Sequence, residues 1–371
     1  MDMGESSISR ILGLKADEWV EVRSKAEILS TLDKNGRLDE LPFMPQMLEY
    51  CGRKLQVYKH AHKLCCFANR PAGSGMSNAV NLKGVHCDGQ AYGGCEMRCM
   101  ILWKEAWLKR EGQPESPFSS ARYGESVHDR ATSESSGCLE SDIWAGTRAP
   151  HDKTGAGEPV YVCQATQLPQ ATQPLPRWVF SQYIEDYISG NVPISKILSG
   201  LLFQAYDQFF VRSGVGFGSL FRWVYDVCQT FRGGMPYPWR RGQVPKNSPT
   251  PSANLNLQVG ELVRVKDYRE ILKTLDDKWL NRGMIFHAEL SIHCGKTFRV
   301  LQRPRKLIDE KTGKLMLLKN ECIVLDGANC EGRYTDPLNC ARASYPYWRE
   351  IWIERVQEKT CSTSEKRAEP S

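Results

Sequence analysis

The sequence predicts an α+β protein in which two homologous small β-barrel domains are joined by a helical segment and by disordered insertions. Three observations support this prediction: a long internal repeat, short runs of alternating apolar residues between glycine turns, and a central stretch with helical periodicity. A chain of 371 residues is also long enough for two or three domains.

The repeat appears when the chain is compared with itself at a constant offset of 243 positions. Matching pairs at this offset include Val20 with Val263, Phe43 with Phe286, Cys51 with Cys294, Cys87 with Cys330, and Gly89 with Gly332. Two extra residues in the second copy then align Cys95 with Cys340, Trp103 with Trp348, Glu105 with Glu350, and Trp107 with Trp352. The sequence therefore predicts two copies of one domain, at 18–110 and 260–356.

Each copy opens with the two-residue period of a strand, at 19–22 and at 262–265. A short helical piece follows in the first copy, with Ile28, Leu29 and Leu32 on one face. Several short strands and glycine turns then fill the remainder of each copy, which is typical of a small barrel. The opening Gly-x-x-Val-x-Val of the second copy is similar to the start of SH3-like barrels, an analogy that implies a fold and no function.

The residues between the copies divide by composition. Residues 111–157 are rich in Ser, Gly, Pro and charge, so we expect a disordered insertion in which Cys138 is inert. Residues 158–232 contain three runs of apolar residues at helical spacing and form a predicted helical linker. A Pro-rich basic linker at 233–259 and a disordered tail at 357–371 complete the domain plan.

The apolar faces of the linker helices are expected to belong to the core, with a weak membrane-surface contact through 194–231 as the alternative. Charged residues interrupt these apolar runs, so none is a predicted transmembrane span. The net charge of +6 comes from 49 basic and 43 acidic residues that are well mixed. Such a balance gives no strong nucleic-acid signature, and we expect a protein partner instead.

Fourteen cysteines occur in a chain whose first residues lack the pattern of a signal peptide. This combination indicates a cytoplasmic protein whose cysteines are thiols or metal ligands rather than disulfides. A metal site needs about four thiolate or imidazole ligands that converge on one point. Cys95-x3-Cys99 is such a close pair, and Cys87 lies just upstream of it.

Comparison of the copies selects the ligands, because Ile308 stands where the first copy has Cys65 and Ser344 stands where it has Cys99. The predicted ligand set is Cys65, Cys87, Cys95 and Cys99, with His62, Cys66, His86 and Cys163 in reserve. Zinc is the first expectation, an iron–sulfur cluster is the alternative, and buried thiols without metal are the third possibility.

No pattern in the sequence identifies a catalytic residue or a cofactor-binding loop. The Lys-Glu and Arg-Glu pairs between the tryptophans, at 104–105 and 349–350, recur in both copies and are expected to be structural. A cysteine nucleophile with a histidine base is conceivable in the first copy, but the crowding of both residue types does not order them.

Several short motifs resemble those of a sparsely characterised, mainly bacterial, Cys-rich protein family. They are Leu41-Pro42-Phe43-Met44-Pro45, Tyr50-Cys51-Gly52, His86-Cys87-Asp88-Gly89, the closing Trp103-Lys104-Glu105-Ala106-Trp107, and Cys163-Gln164-Ala165-Thr166. The resemblance covers most of the chain outside 111–157. It implies a role beside glycan or natural-product biosynthesis, assigns no reaction, and supports Cys163 as a reserve ligand.

Two functions from different classes follow. One is a metal-stabilised accessory or binding protein, in which a second copy enlarges the binding surface. The other is a biosynthetic enzyme that uses the metal or a thiolate of the first copy. They differ in coordination, because structural zinc is closed by four protein ligands and catalytic zinc keeps an open position.

Overall fold

The computed structural model describes residues 12–66, 73–111, 137–149, 157–212, 217–232 and 234–356. Within them the protein is a mixed α and β structure whose strands pair in antiparallel sheets. We call residues 12–111 the N-terminal unit, 137–254 the connecting segment, and 255–356 the C-terminal unit.

The N-terminal unit is built around a five-stranded sheet that curls into a half-barrel. Its elements are β1 (Trp19–Val22), α1 (Lys25–Leu29), β2 (Arg37–Leu38), β3 (Leu41–Pro42), β4 (Lys54–His60), β5 (Lys63–Cys65), β6 (Gly73–Gly75), β7 (Ala79–His86), β8 (Met100–Lys104) and β9 (Leu108–Arg110). The strand order is β8-β7-β4-β1-β9, and β5 pairs with β6 outside this sheet. The sheet does not establish that this unit is a closed SH3-like barrel, so that part of the expected fold remains a prediction.

The connecting segment is mainly helical. Its elements are α2 (Glu140–Ala145), α3 (Gln164–Ala171), β10 (Gln173–Leu175), α4 (Ser181–Ile188), α5 (Ile194–Tyr206) and α6 (Gly218–Phe231). The three predicted helical runs correspond to α4, α5 and α6. Pro193 is the N-cap of α5, and Gly190 adopts a left-handed φ of 73° just after α4, so the predicted punctuation is confirmed.

The C-terminal unit has a four-stranded sheet with the order β17-β14-β11-β18. Its elements are β11 (Leu262–Val265), α7 (Tyr268–Leu272), β12 (Leu280–Asn281), β13 (Met284–Ile285), β14 (Thr297–Gln302), β15 (Lys306–Ile308), β16 (Leu315–Leu317), β17 (Val324–Leu325) and β18 (Ile353–Arg355). Helices α1 and α7 both begin with a capping box, from Ser24 to Glu27 and from Asp267 to Glu270.

The two large sheets share one strand register. Pairs that correspond at the repeat offset are Val20–Leu55 with Val263–Phe298, Val57–Leu82 with Val300–Leu325, and Val80–Trp103 with Ile323–Trp348. A slip of one residue would move every apolar side chain to the opposite face of a sheet. The same sequence positions are therefore buried in both units.

Edge-on aromatic contacts form the centre of each core. The ring centroids lie 6.2 and 5.1 Å apart for Phe43 with Trp103 and Trp107, and 6.3 and 5.1 Å apart for Phe286 with Trp348 and Trp352. This geometry matches the quadrupoles of the rings and adds to the burial of their apolar surface.

Part of the predicted disordered insertion is ordered. Residues 137–149 contain α2, and the side chains of Cys138 and Ile143 are only 4% and 2% exposed within the N-terminal core. The prediction that Cys138 lies in a loop without a core is therefore wrong. Residues 112–136 and 150–156 of that insertion, and the predicted tail at 357–371, lie outside the described residues.

Many apolar residues of the linker helices are exposed, contrary to the expectation that their apolar faces belong to the core, although Tyr183 of α4 and Ile197 of α5 are buried. The exposed fractions are 71% for Phe180, 70% for Leu202, 71% for Phe209, 61% for Trp223 and 88% for Phe231. Helical spacing predicts that such residues share a face, but it does not say what covers the face. No helix within the described ranges has both the length and the apolar character needed to cross a bilayer.

The described part of the predicted Pro-rich linker, 234–259, packs against the C-terminal unit without forming a helix or strand. Its Tyr237 and Leu257 are buried. The Pro238 carbonyl accepts a hydrogen bond from the Tyr268 hydroxyl at 2.5 Å, and the Arg240 carbonyl accepts one from the Trp279 indole at 2.6 Å. Backbone carbonyl groups therefore hold this linker in place. The amino-acid sequence of the linker gives no sign of these contacts.

The two units contact each other reciprocally. The Lys63 carbonyl of β5 accepts a hydrogen bond from the Ala341 N–H at 2.9 Å, and the Lys306 carbonyl of β15 accepts one from the Glu96 N–H at 2.9 Å. These two contacts exchange the roles of corresponding positions. Contacts that exchange roles in this way are also the pattern of an isologous interface.

Candidate metal centre and thiol-lined cavity

The loop between β7 and β8 carries three cysteines and is held together by its own backbone. The Cys87 N–H donates to the Cys99 carbonyl at 2.8 Å and closes the loop at its base. Gly89 has a φ of 71°, and a Cβ at this position would lie 1.8 Å from the Cys95 carbonyl oxygen. Glycine is therefore required where the loop backbone passes itself.

Helix α3 brings a fourth cysteine to this loop. Cys163 is the N-cap residue of α3, and the next residue, Gln164, is buried. The Gln164 amide accepts a hydrogen bond from the Leu102 N–H at 2.8 Å and donates to the Leu102 and Pro42 carbonyls at 2.8 and 3.1 Å. These bonds fasten the start of α3 to β8. Cys87, Cys95, Cys99 and Cys163 consequently line one small cavity of about 40 Å³.

Backbone N–H groups are directed at three of these four sulfurs. The donors are Gly89 for Cys87, Met97 and Ile308 for Cys95, and Thr166 and Ala165 for Cys163, and each lowers the pKa of its thiol. A hydrogen bond to the ionised form of an acid stabilises that form. Hydrogen bonds to the sulfurs are also among the means by which proteins orient and tune metal-bound thiolates.

Burial opposes the ionisation of the same thiols. It raises the pKa of Cys87 to about 12, with a further contribution from Cys163, and it raises the pKa of Cys99 well above the ordinary thiol value. A bound cation reverses this balance, because a coordinated thiol is deprotonated outright. The cavity therefore suits either neutral thiols or metal-bound thiolates.

The sulfurs are not gathered as tightly as in a formed metal site. A Zn–S distance of about 2.3 Å places the sulfurs of a tetrahedral site about 3.8 Å apart. In the described ranges, just one group brings three ligand atoms within 4.8 Å of one another, and it consists of His60, His62 and Glu185. Rotation of the cysteine side chains towards a common centre would be needed for the four sulfurs to hold one ion.

The His60, His62 and Glu185 group is a second candidate metal centre. The two Nδ1 atoms are 3.3 Å apart, and His60 Nδ1 is 3.4 Å from Glu185 Oε1. Nitrogen ligands at about 2.0–2.1 Å from a tetrahedral zinc ion are themselves about 3.3 Å apart, so this spacing fits one ion. Glu185 is half exposed, which leaves one side of the group open. Sequence reasoning missed this group because Glu185 lies on a distant helix.

Both histidines also have structural contacts. His60 Nε2 lies 3.9 Å from Glu105, and His62 Nε2 lies 3.1 Å from the buried carboxylate of Asp186, which pairs with Lys63 at 2.6 Å. Burial lowers the pKa of His60, and the neighbouring His62 lowers it further. A neutral imidazole is the form that binds a metal.

Cys65, a member of the predicted ligand set, does not line the small cavity. It ends β5 and faces the C-terminal unit, where its N–H donates to Cys340 Sγ at 3.1 Å and its carbonyl accepts from the Arg342 guanidinium at 3.0 Å. The structure therefore gathers Cys87, Cys95 and Cys99 from that set and adds Cys163 from the reserve. The cause is the hairpin of β5 and β6, which reaches across to the other unit.

The other reserve ligands are also elsewhere. His86 lies with its ring centroid 5.4 Å from that of Tyr345, and Cys66 lines a larger cavity. In the C-terminal unit, Cys322 lies 3.9 Å from the Pro304 carbonyl. Cys330 lines the larger cavity together with Cys65 and Cys340, whereas Cys322 does not line it.

The larger cavity, of about 570 Å³, lies between the two units. The N-terminal unit contributes Cys65, Cys66, Met97 and Cys99, while the C-terminal unit contributes the remaining wall, including Glu289, Glu310, Cys340, Arg342 and Tyr347. Three polar atoms of this wall are buried and have no hydrogen-bond partner within the described residues: Glu289 Oε2, Glu310 Oε2 and Tyr347 Oη. Buried polar atoms are usually paired, so a polar ligand is an expected occupant.

Comparison with known proteins finds no family model that matches this chain and no curated protein with a significant match.

Proposed function

We propose that this protein is a metal-stabilised binding protein in which Cys87, Cys95, Cys99 and Cys163 hold a zinc ion. The observation that carries the proposal is that these four cysteines, three from the loop between β7 and β8 and one from the start of α3, line one small cavity. Four thiolates suit a closed structural zinc site. The same ligands would also hold an iron–sulfur cluster, which is the alternative occupant.

The experiment is elemental analysis and absorption spectroscopy of protein purified without oxygen. Wild-type protein is expected to carry zinc, and Cys99→Ser and Cys163→Ser are each expected to lose metal and thermal stability together, because metal binding and folding are coupled. Cys322→Ser is the matched control, since Cys322 is buried, as Cys163 is, but lies outside the small cavity. A metal-free wild-type protein, or full metal content in Cys163→Ser, would overturn the proposal. Visible charge-transfer absorption would instead identify an iron–sulfur cluster.

The binding function proposed here includes a tandem duplication. Equal strand registers and reciprocal contacts between the units support descent from a symmetric dimer of one domain. The cavity between the units is consistent with such a duplication, and three polar atoms of its wall have no hydrogen-bond partner within the described residues. Closed SH3-like barrels belong to the same proposal and are supported by sequence analogy alone.

A second candidate function is a metal-dependent enzyme centred on His60, His62 and Glu185. Their spacing and the exposed side of Glu185 favour an ion with an open coordination position, which is the feature of catalytic zinc. Glu185→Gln should lower the metal content by one equivalent and leave the zinc of the thiol site in place. If Glu185→Gln retains all metal, this group binds no ion, and the two histidines have only their structural contacts.

We infer that a protein partner covers the exposed apolar face of α4, α5 and α6. An exposed apolar surface of this extent usually marks an interaction site. Leu202→Ser should weaken partner binding without changing the midpoint of urea unfolding, whereas Ile197→Ser on the buried side of α5 should lower that midpoint. Binding of the wild-type protein to lipid vesicles, abolished by Leu202→Ser, would favour the membrane-surface alternative instead.

The proposal also includes the cellular compartment and the biological role of the protein. All thirteen cysteines in the described residues are free thiols, which suits a reducing compartment such as the cytoplasm. A role beside glycan or natural-product biosynthesis is supported by the family resemblance of the motifs alone. No nucleic-acid partner is included, because the basic and acidic residues are well mixed.

A further inference from the structure

Cys65 and Cys340 form a pair of thiols that joins the two units, although they are 275 positions apart in the chain. The Cys65 N–H donates a hydrogen bond to the Cys340 sulfur at 3.1 Å, and the two thiols are close enough for each to shift the pKa of the other. Both residues line the larger cavity between the units. Neither sulfur belongs to the small cavity proposed for zinc.

The surroundings of Cys340 favour its thiolate. Its sulfur accepts the Cys65 N–H at 3.1 Å and the Arg342 N–H at 3.4 Å. Burial alone would raise the pKa of Cys340, but these hydrogen bonds and the Arg342 charge lower it to about 7. The thiolate is the nucleophile in thiol chemistry, and the best attacking thiol has a pKa near the ambient pH.

The surroundings of Cys65 have the opposite effect and favour its protonated thiol. Its hydrogen bond to Cys340 and its burial raise its pKa well above the ordinary value, so Cys65 remains protonated when Cys340 has ionised. One member of the pair is thus poised to attack, and the other to resolve the product. This division of roles is that of a redox-active dithiol.

The cavity walls indicate which ligand would reach these thiols. Glu289 and Glu310 are buried acids, and each has one carboxylate oxygen without a hydrogen-bond partner within the described residues. Burial raises the pKa of Glu289, as expected for a carboxylate that lacks a full complement of donors. Arg342 is already paired with Glu310. The unsatisfied acceptors therefore suit a ligand with ammonium or other N–H donors.

We propose that Cys340 and Cys65 form a dithiol that reduces a small disulfide carrying amino groups, bound in the cavity between the units. The Cys340 thiolate attacks one sulfur of the ligand, the S–S bond breaks, and the first ligand thiolate leaves and takes up a proton. Cys65 then gives up its proton to solvent, and its sulfur attacks Cys340 Sγ and expels the second ligand thiolate. The protein loses two electrons and gains a Cys65–Cys340 disulfide, while the ligand disulfide becomes two thiols.

The probes are three symmetrical disulfides of similar size: cystamine with two ammonium groups, 2-hydroxyethyl disulfide without charge, and 3,3′-dithiodipropionate with two carboxylates. The full-length protein is reduced, freed of reductant without oxygen, and mixed with each probe. Cystamine is expected to react fastest and the dicarboxylate slowest, and peptide mapping is expected to find the Cys65–Cys340 disulfide. A rate that rises through a pH of about 7 would match the ionisation of Cys340.

Three variants separate the roles. Cys65→Ser should accumulate a mixed disulfide on Cys340, since no thiol remains to resolve it, and Cys340→Ser should lose the fast reaction. Cys228→Ser is the control, because Cys228 is an exposed thiol that lines neither cavity, so its loss should leave the reaction unchanged. Peptide mapping of oxidised wild-type protein needs no variant to fold. Disulfides at other cysteines, or equal rates with all three probes, would overturn the proposal, and the zinc content of the reduced protein tests the thiol metal site separately.

Discussion

Glu105 and Glu350 show how a single carboxylate can hold a chain segment in place. Glu105 accepts the N–H groups of Leu12, Gly13 and Leu14 at 2.6–2.9 Å. Glu350 accepts the N–H groups of the corresponding segment, at 255–257. Each acid thus ties the residues before the first strand of its unit to the turn between the two tryptophans. These contacts give both acids a structural role, as their recurrence in the sequence predicts.

We predict that Glu105→Ala lowers the free energy of unfolding by about 3 kcal/mol, because it leaves three N–H groups, of which that of Leu14 is buried, without their charged acceptor. Glu49→Ala is the control, since Glu49 is an exposed acid on the same unit and should change stability by less than about 0.5 kcal/mol. Urea unfolding followed by tryptophan fluorescence measures both. Equal stability of the two variants would mean that water replaces the carboxylate at the N–H groups.

His293 should make stability depend on pH. Burial lowers its pKa below 6.5, so between the two values the unfolded chain binds a proton that the folded chain does not. The free energy of unfolding therefore falls as the pH is lowered through about 6.5, by at most about 1.4 kcal/mol per pH unit for one proton. His293→Tyr should remove this contribution, because Tyr50 fills the corresponding position edge-on to Trp103. Urea unfolding at several pH values measures this dependence. If the free energy of unfolding changes with pH as steeply in the variant as in the wild type, the prediction is wrong.

The choice of thiol ligands marks the limit of the sequence at the residue scale. Cys87, Cys95 and Cys99 share one loop, so their spacing predicts that they meet. Cys65 is also near them in sequence, but its hairpin carries it to the C-terminal unit. Cys163 is far away in sequence and reaches the loop because Gln164 fastens α3 to β8. Spacing in the sequence predicts neither the position of Cys65 nor that of Cys163, because both depend on packing between distant segments.

The positions of the helices were easier to predict from the sequence than which of their faces are buried. Apolar spacing, Gly190 and Pro193 predict the helices of the connecting segment, because they act within a few residues. The exposure of Leu202 and Phe231 depends on which other elements pack nearby, and the sequence pattern is the same for a covered and an uncovered face. Similarly, the composition of 111–157 predicts disorder, yet Ile143 is buried in the N-terminal core.

The cysteine loop offers a test of one element. Gly84 and Gly89 have φ values of 74° and 71°, but a Cβ would meet nothing within 4 Å at Gly84 and the Cys95 backbone at Gly89. Gly84→Ala should therefore cost only the strain of a left-handed alanine, about 1–2 kcal/mol. Gly89→Ala should cost more and should also lower the metal content, because the loop must open. Equal stability losses in thermal unfolding, with the metal retained in both, would show that the loop tolerates the added atom.

At the scale of the whole molecule, the two units depend on each other unequally. The core of the N-terminal unit includes Ile308 and Ala341 from the C-terminal unit, together with Tyr161 and Leu168 from the connecting segment. The core of the C-terminal unit draws on residues between Met235 and Ile353 alone. Equal strand registers therefore do not imply equal independence, because the N-terminal core is completed by its neighbours.

This asymmetry predicts how the chain behaves when it is divided at Gly233. The fragment 234–371 should unfold cooperatively, since its core is complete, although at a lower temperature than the intact protein. The fragment 1–232 should lack a cooperative transition, because the places of Ile308 and Ala341 in its core are left empty. Mixing the two fragments should restore a single transition, because the reciprocal hydrogen bonds of β5 and β15 can form again. Calorimetry and circular dichroism of each fragment and of the mixture provide the measurement. Cooperative unfolding of fragment 1–232 alone would mean that the shared side chains fill space without holding the N-terminal core together.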